Sequence, residues 1–370
     1  MLAASRYNPK DPAPPGPAAL PMPQPDRPLH LAFLGCGFIT RVHSGYLKGL
    51  GPGLTWSYAS REAGKAELYR RRFGGRRAFG SYEAAIDDPA VDAVVVAVPP
   101  RVHRELVLRA LEAGKHVLVE KPAFPALADY DTARAVRDRA GRVVAVGEND
   151  HYKPLAVTLR RLLAKGVVGD LIFAHFTTIV RRLKAADDWR NDDALAGGDA
   201  FFEEGIHWLH LAGSLGPRIT RIEGFRPPAA ATGPDRRAKS MMVAFQYDNG
   251  AAGALYYSRE IPSLLRGLRV SKLFGRDGVI TFESNGGFVV ARGRGLPRCL
   301  VPGIRDVRGY AAMYRDFLGC IRTGDAPEMS LERAREDHVL VERVYETLRP
   351  ALEGRAFNGG SNEAAERASD

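Results

Sequence analysis

The chain of 370 residues is predicted to be an α/β protein, with an N-terminal doubly wound parallel sheet and a C-terminal α/β domain with an open, mostly antiparallel sheet. Three observations predict this class. The length suits two domains, each large enough to bury its own core. Strand and helix patterns alternate over residues 28–148, as βαβ units require, and closely spaced strands then dominate residues 171–283.

Apolar runs in the first domain, residues 28–148, predict fully buried parallel strands, because helices cover both faces of such a sheet. These runs are His30–Leu34, Leu54–Ala59, Ala93–Val98, His116–Val119 and Val143–Val146. Helical patterns separate them at about 38–50, 61–73, 81–87, 102–113 and 126–140. The last two helices are predicted to end at Gly114 and Gly141, since glycine commonly follows a helix C-terminus.

The second domain, predicted over 149–357, begins with a helix near 154–165 and closes with a helical region at about 307–352. Its predicted strands are Leu171–Val180, Ile219–Phe225, Met241–Tyr247, Gly253–Ser258, Leu268–Phe274 and Val279–Glu283. Asp248-Asn249-Gly250 is a hairpin signal, which favours antiparallel pairing. Residues 358–370 are predicted to form a polar tail.

Residues 1–27 contain many prolines and no apolar periodicity, and are predicted to form an extended, poorly ordered tail. They lack a basic start followed by an apolar core, so a secretory signal is not expected; an overlong assigned start explains the segment equally well. The chain has three cysteines without Cys-x-x-Cys spacing, and no apolar run approaches the roughly 18 residues of a membrane span. We therefore predict a cytoplasmic protein without a disulfide framework, a structural zinc or a membrane segment.

The formal net charge of +10 raises the question of a nucleic-acid partner, with the segment from Arg70 to Arg77 as the most basic cluster. This cluster ends a helical pattern, and it lacks the interleaved aromatic side chains on which bases stack. Basic residues are also spread along the whole chain. The sequence therefore favours a solvated helix end and no nucleic-acid partner.

A glycine-rich loop joins the first predicted strand to the first helix. Gly35 permits a tight turn, Gly37 lets backbone N–H groups approach a pyrophosphate, and the helix N-terminus adds its partial positive charge. Thr40 stands where a full G-x-G-x-x-G pattern has its third glycine, which is expected to loosen helix–strand packing but to leave the phosphate contacts intact. The predicted nucleotide-binding residues of this loop are Gly35, Gly37, Phe38 and Ile39.

The end of the second predicted strand bears on which dinucleotide fits. NAD sites usually place an Asp or Glu there for the ribose hydroxyls, but this chain has Ser60-Arg61. A hydroxyl followed by a guanidinium suits a 2′-phosphate, and Lys65 is a third candidate contact. The sequence predicts NADP, with NAD as the alternative if Ser60 only caps the next helix and Arg61 is solvated.

Lys121 follows the apolar run His116–Val119 within Glu120-Lys121-Pro122. Pro122 favours extended geometry at Lys121 and ends the strand, so the ammonium is expected at the carboxyl end of the sheet, where open α/β sheets bind ligands. Taken alone, the tripeptide also fits a surface lysine before a loop. Together with the nucleotide loop it indicates hydride chemistry.

A second polar group, Glu203, His207 and His210, has i, i+4 and i+7 spacing and would share one stripe of a helix. His207 is suited to exchange the proton of a hydroxyl during hydride transfer, and Glu203 to orient it or to hold a substrate hydroxyl. His210 is expected to be structural or supporting, and Gly205 predicts close approach of another group to the backbone. Glu203 and His207 could also ligate a metal, but H-E-x-x-H is absent and Lys121 can polarise the oxygen, so no metal is predicted.

Several motifs, taken in order along the chain, carry a resemblance to a known family. They are Gly35-Cys36-Gly37, Ala97-Val98-Pro99-Pro100 with His103, Ala113 through Pro122, Glu148-Asn149 with Pro154, Trp189-Arg190, and Gly197-Gly198 through His207. Through these motifs the chain resembles the Gfo/Idh/MocA oxidoreductase family over about residues 29–350. The resemblance implies an N-terminal Rossmann domain, and hydride transfer between NAD(P) and an oxygen-bearing carbon of a sugar, inositol or related polyol.

The resemblance also implies roles for single residues. Lys121 matches the family lysine beside the nicotinamide and the reacting oxygen, and His207 matches the acid–base histidine. Further cofactor contacts are implied for Pro99, His103, Glu120, Lys121, Trp189 and Arg190. Glu203 stands where the family usually has Asp, His210 where Asp is common and His151 where Arg is frequent, so substrate contacts are expected to differ. Homodimers or homotetramers formed through the open sheet are usual in the family.

The leading hypothesis is an NADP-dependent dehydrogenase or reductase of a small sugar or polyol. Two alternatives stay open at this point. One is a glycosidase that keeps its nicotinamide bound and cleaves by oxidation, elimination and re-reduction. The other is a non-catalytic nucleotide-sensing protein, which the pair of Lys121 and His207 disfavours because a binding protein has no use for proton transfer.

Overall fold

The computed structural model describes residues 27–182, 193–227, 239–263 and 268–353. The first half alternates strands and helices: β1 Leu29–Leu34, α1 Phe38–Leu47, β2 Leu54–Ala59, α2 Ala63–Phe73, β3 Ala78–Phe79, α3 Tyr82–Ile86, β4 Ala93–Val96, α4 His103–Glu112, β5 His116–Glu120, α5 Leu127–Ala140 and β6 Val144–Gly147. The second half contains α6 Pro154–Ala164, β7 Leu171–Ile179, α7 Asp193–Ala196, α8 Ile206–Gly213, β8 Ile219–Phe225, β9 Ser240–Tyr247, β10 Ala252–Ser258, β11 Val270–Gly275, β12 Gly278–Glu283, β13 Val289–Arg292, β14 Arg298–Leu300, α9 Tyr310–Thr323 and α10 Leu331–Glu353.

The first sheet has six parallel strands in the order β3-β2-β1-β4-β5-β6. Every residue of β1, β4 and β5 is buried, as the continuous apolar runs of these strands require. The strand order reverses direction at β1, where the connections pass from one side of the sheet to the other. This point lies at the carboxyl ends of β1 and β4, which is where doubly wound sheets bind ligands.

The second sheet has eight strands in the order β14-β13-β12-β11-β7-β10-β9-β8. Among the strands that the structure describes, the β7–β10 pair is parallel and the other pairs are antiparallel, so the predicted mostly antiparallel sheet is confirmed. The signal Asp248-Asn249-Gly250 joins β9 to β10 as a hairpin. Helices α6, α8 and α10 pack against one face of the sheet, and the other face exposes Phe173, Tyr256, Phe274 and Val290.

The closing helices connect the two cores. Side chains of α9, including Met313, Tyr314 and Phe317, are buried in the core of the first sheet together with Leu331 at the start of α10. Farther along α10, Val341, Val344 and Leu348 pack into the core of the second sheet. The chain therefore returns to the first sheet before it ends, and a single 23-residue helix contacts both halves.

Most elements agree with the sequence-based predictions to within two residues. The short strands β3, β13 and β14 were not expected, because two to four residues give too little periodicity to separate a strand from a loop. The helical region at 307–352 is two helices, separated after Gly324, which ends α9 in the left-handed conformation. None of the described helices is both long and apolar enough to cross a bilayer.

The predicted tails lie almost wholly outside the described residues. Residues 358–370 lie outside them, as do residues 1–26, and Arg27 forms an ion pair with Asp92. The basic cluster from Arg70 to Arg77 stands at the C-terminal end of α2, where Glu67 pairs with Arg70.

Candidate active site

Contacts within the protein fix the conformation of the loop between β1 and α1. Gly35 has a φ of +112°, and a Cβ at this position would lie 2.4 Å from the carbonyl oxygen of Ala97. The hydroxyl of Thr40 is buried and donates to the Gly35 carbonyl over 2.8 Å. Thr40 thus closes the loop by a hydrogen bond, so the looser packing expected from the missing third glycine is not what the structure shows.

Gly37 differs from Gly35, because nothing in the protein requires it to be glycine. It precedes α1 in extended conformation, and a Cβ placed on it would meet no atom within 4 Å. Gly37 also lines a cavity of about 180 Å³, together with Gly35, Phe38 and Ile39. An open position before a helix N-terminus is what a pyrophosphate needs, so these residues fit a dinucleotide.

The same cavity is lined by Ser60, Arg61 and Lys65, together with Pro99 and Tyr82. Ser60 follows β2 and is buried, and its hydroxyl accepts a hydrogen bond from the backbone N–H of Glu62 over 3.1 Å. Arg61 is exposed, and Lys65 lies 4.0 Å from the carboxylate of Glu62. Two cations and one hydroxyl therefore line this cavity together with the exposed carboxylate of Glu62.

A second cavity, of about 350 Å³, adjoins the first and shares Phe38, Ile39 and Val98 with it. Lys121 lines this larger cavity from the end of β5. Its ammonium donates to the carbonyl oxygen of Glu203 over 2.9 Å. This bond fixes a cation from the first sheet against a segment of the second half of the chain.

His207 lines the same cavity and is held by a carboxylate from another part of the chain. Its Nδ1–H donates to Glu148, with both carboxylate oxygens at 2.6 and 2.7 Å. Burial alone would raise the pKa of Glu148, but the charge and hydrogen bond of His207 outweigh it and lower this pKa. Glu148 is therefore an anion that fixes the imidazole, leaving Nε2 as the nitrogen available to a ligand.

Glu148 corrects one prediction, that Glu203 orients His207. The carboxylate in contact with His207 comes from the turn after β6, while Glu203 contributes its backbone carbonyl to Lys121 and also lines the cavity. The motif Glu148-Asn149 marked this position in the sequence, but a pairing between residues 59 apart is a tertiary contact that local spacing does not reveal.

The segment around Glu203 is also not a regular α-helix. Residues Phe201–Gly205 form a π-helical turn that leads into α8. A Cβ on Gly205 would lie 2.4 Å from the ring of Phe201, so the group that approaches this glycine is a core side chain and not a ligand. Turns of this type widen the helix and are frequent at functional sites. Glu203 and His207 both line the larger cavity, and His210 is not among its lining residues.

His210 is 2% exposed and belongs to a buried network beside the cavity. Its Nδ1 lies 2.8 Å from Asp337 of α10, and its Nε2 lies 3.0 Å from Nδ1 of His151, whose Nε2 is 2.8 Å from Glu328. Burial lowers the pKa of His151 to about 2, whereas Asp337 outweighs burial and raises the pKa of His210. A charged His210 can donate to both neighbours, so this network holds α8 in place.

Two further predicted cofactor residues have protein partners for their side chains. His103 is fully buried, with its ring nitrogens 3.0 Å from the Ala123 carbonyl oxygen and 2.7 Å from that of Val98. It cannot touch a cofactor, and the prediction is corrected: His103 ties together the loops after β4 and β5. Glu120 lines the larger cavity, but Oε1 of its buried carboxylate lies 2.9 Å from Nε2 of His43. Trp189 and Arg190 lie outside the described residues.

Oxygen and nitrogen atoms of Glu148, Asp150 and His207 lie within 4.8 Å of one another, close enough to share a metal ion. These atoms already have protein partners. Lys153 lies 2.6 Å from Asp150 and, together with His207 and Lys121, lowers the pKa of Asp150 to about 2 against the opposing effect of burial. An ammonium in direct contact with a candidate ligand opposes a second cation, so the arrangement fits an ion-pair network better than a metal site.

The chain is similar in sequence and in fold to several known oxidoreductases. The D-apiose dehydrogenase of Paraburkholderia graminis is 25% identical over 350 residues, which cover 90% of each chain. An uncharacterized oxidoreductase of Rhizobium meliloti is 32% identical over 156 residues, covering 42% of this chain and 46% of that protein. Among solved structures, levoglucosan dehydrogenase in complex with NADH and levoglucosan has a TM-score of 0.79 at 19% identity, covering 88% of this chain and 98% of that chain.

Two family models match successive parts of the chain. The model described as an oxidoreductase family with an NAD-binding Rossmann fold matches residues 29–148, which contain the nucleotide loop and Lys121. The model of the GFO/IDH/MocA C-terminal domain matches residues 156–280, which contain His207 and most of the second sheet. Together they cover more than half of the chain and follow each other in the expected order. The chain therefore belongs to the Gfo/Idh/MocA oxidoreductase family.

Proposed function

We propose that this protein is an NADP-dependent oxidoreductase that transfers a hydride between the nicotinamide and a hydroxyl or carbonyl carbon of a sugar, inositol or related polyol. One observation carries the proposal: Lys121 and the Glu148-bound His207 line a single cavity that adjoins the nucleotide-loop cavity. The names of relatives support the substrate class, since they include D-apiose dehydrogenase and scyllo-inositol 2-dehydrogenase.

Each residue has a separate part in the proposed mechanism. The bound nicotinamide supplies or accepts the hydride. Lys121 hydrogen-bonds the reacting oxygen and stabilises the negative charge that develops on it. His207, with its Nδ1–H on Glu148, takes the hydroxyl proton at Nε2 during oxidation and returns it during reduction. Glu148 holds the imidazole in this tautomer and stabilises its charged form.

We propose different roles for the two halves of the chain. Residues 28–148 bind the nucleotide, and residues 149–357 supply the substrate site and the assembly surface. The exposed side chains Phe173, Tyr256 and Phe274 on the open sheet support a homodimer or homotetramer formed through that face. The three free cysteines support a cytoplasmic location.

The first test is a parallel fluorescence titration of the purified protein with NADPH and NADH, followed by a turnover screen of aldoses, inositols and polyols. Tight NADPH binding with turnover of at least one such compound is the expected result. Absence of binding by either nucleotide, in protein free of copurified nucleotide, would contradict the proposal.

The preference for NADP rests on the cations beside Ser60. Arg61→Asp is expected to raise the dissociation constant for NADPH by about 10- to 100-fold, because it replaces a donor to the 2′-phosphate by a repelling carboxylate. The dissociation constant for NADH should change little, since its ribose carries no phosphate. Arg72→Asp, which alters a charge at the far end of α2, is the matched control. Equal changes for the two nucleotides would refute the role of Arg61.

The two glycines of the loop are expected to respond differently to alanine. Gly35→Ala should lower the free energy of unfolding by about 1–3 kcal/mol, because its φ is positive and its Cβ would clash with the Ala97 carbonyl. Gly37→Ala should leave the free energy of unfolding within about 0.5 kcal/mol of wild type, since its Cβ meets no protein atom. Its NADPH binding should nevertheless weaken by about tenfold or more, as the methyl group enters the pyrophosphate space. Thermal unfolding and fluorescence titration measure both effects, and unchanged NADPH binding by Gly37→Ala would contradict the assignment.

A further inference from the structure

Arg269 is a buried cation in the wall of the larger cavity. Its side chain lines this cavity, yet the residue is only 8% exposed. One terminal nitrogen donates to the hydroxyl of Thr178 over 3.1 Å, the other donates to the side-chain oxygen of Asn285, and the guanidinium carbon lies 5.9 Å from the ring centre of Trp208. All of these partners are neutral. Within the described part of the chain, no carboxylate forms an ion pair with its guanidinium; the nearest backbone contact with one is from the Arg269 N–H to Glu283, at 3.5 Å.

The nearby carboxylates of the cavity have cations of their own. Asp150 pairs with Lys153 at 2.6 Å, and Glu204 lies 3.8 Å from Arg182 and accepts from the hydroxyl of Tyr257 at 3.2 Å. The buried carboxylate of Glu283 accepts from Asn285 and from the backbone N–H of Arg269 and acts on the guanidinium from farther away, so in the described part of the chain the direct side-chain partners of Arg269 are neutral. Burying a cation without an anion costs free energy, and burial followed by the charge of Arg182 lowers the pKa of Arg269 accordingly.

We propose that Arg269 binds a carboxylate carried by the substrate, so that the substrate class is a sugar acid such as a uronate. This inference rests on the proposed function, because it concerns the same cavity and names the group that distinguishes its substrate. A guanidinium presents planar donors that match a carboxylate, and two of its donors are already fixed by Thr178 and Asn285. A phosphate monoester is disfavoured, because its second negative charge would face Asp150 and Glu204 in the same cavity.

The two cations that would bind the carboxylate and the reacting oxygen of the substrate come from different sheets. Lys121 directly follows β5 of the first sheet, whereas Arg269 directly precedes β11 of the second. A substrate that spans the cavity could place a hydroxyl at Lys121 and a carboxylate at Arg269. Binding energy from a remote charged group is a general means of positioning the reacting carbon.

The test compares acids with their neutral isosteres. D-glucuronate, D-galacturonate and D-mannuronate are each compared with the corresponding uronamide, in the presence of saturating NADPH, by thermal shift and by calorimetric titration. We expect at least one uronate to bind about 10- to 100-fold more tightly than its amide, the range of a charged hydrogen-bonded pair. Arg269→Gln should abolish this preference, and Arg269→Lys, which keeps the charge but loses the planar fork, should retain part of it.

Arg259→Gln is the matched control, because Arg259 is 5% exposed in the same sheet region and does not line the cavity. It should retain the preference for the acid.

NADPH titration shows whether each variant keeps the nucleotide site, and the wild-type comparison of acid with amide needs no variant. The inference is overturned if no uronate binds better than its amide, if glucose 6-phosphate binds better than the uronates, or if Arg269→Gln keeps the preference. An Arg269-dependent preference without any NADPH oxidation or NADP reduction would leave this inference standing and contradict the proposed function instead.

Discussion

Lys121→Ala is expected to reduce turnover by at least about 100-fold while leaving the NADPH dissociation constant nearly unchanged. The size follows from mutagenesis of single donors to a developing oxyanion, whose loss costs about 100- to 1,000-fold in turnover. The ammonium of Lys121 is the only side-chain cation that the first sheet presents to the larger cavity within the described residues. Its hydrogen bond to the Glu203 carbonyl, at 2.9 Å, keeps it beside His207.

Nucleotide binding should survive this substitution, because the pyrophosphate contacts belong to the loop of Gly35 and Gly37 and not to Lys121. Single-turnover rates with the best sugar substrate and NADPH titrations in parallel make the comparison. Lys165→Ala, an exposed lysine at the end of α6, is the control for removing a positive charge elsewhere. Retained turnover in Lys121→Ala would refute the catalytic role, and a parallel loss of NADPH binding would make Lys121 a nucleotide ligand instead.

The sequence predicted the position of Lys121 and the nucleotide loop because both depend on residues that are close together in the chain. A buried apolar run followed by Glu120-Lys121-Pro122 specifies where the strand ends, and the end of a parallel strand specifies where the lysine emerges. The glycine loop is equally local, since the turn, the helix N-terminus and Thr40 lie within a few residues. Both features could therefore be derived before the structure was known.

The contacts that sequence reasoning missed or misassigned join distant segments of the chain. Glu148 reaches His207 only because the turn after β6 packs against α8, and the buried network through His210 depends on Asp337 of α10. His103 stands in a motif, but its burial follows from the packing of two loops that periodicity does not describe. The π-helical turn at Phe201–Gly205 likewise could not be derived from a pattern read with regular helical spacing.

Glu148→Gln is expected to lower turnover by about 100- to 10,000-fold, the range attributed to general acid–base catalysis. The amide can still accept from Nδ1 of His207, but it cannot stabilise the positive charge that forms on the ring when Nε2 takes a proton. Glu148 has to be charged for this role and its pKa is lowered by His207, so its protonation should contribute to the acid limb of the activity profile, and Glu148→Gln should lack that contribution. A purely structural role for Glu148 would change the amount of active protein and leave the shape of that profile unaltered.

The pH dependence of thermal unfolding is a second measurement of the Glu148–His207 pair. The pKa of Glu148 is lowered in the folded protein, so its interaction with His207 stabilises the fold above the ordinary carboxyl range and is lost as the pH falls. Glu148→Gln should lack this part of the acid dependence of thermal unfolding. Glu203→Gln is the competing variant, because Glu203 lines the same cavity while the carboxylate bonded to His207 is that of Glu148. Its loss of turnover should be smaller than that of Glu148→Gln and its pH profile unshifted, since the charge beside the imidazole stays in place. The opposite order of the two variants would return the orienting role to Glu203 and would mean that the pair at 2.6 Å is not the one that works during the reaction.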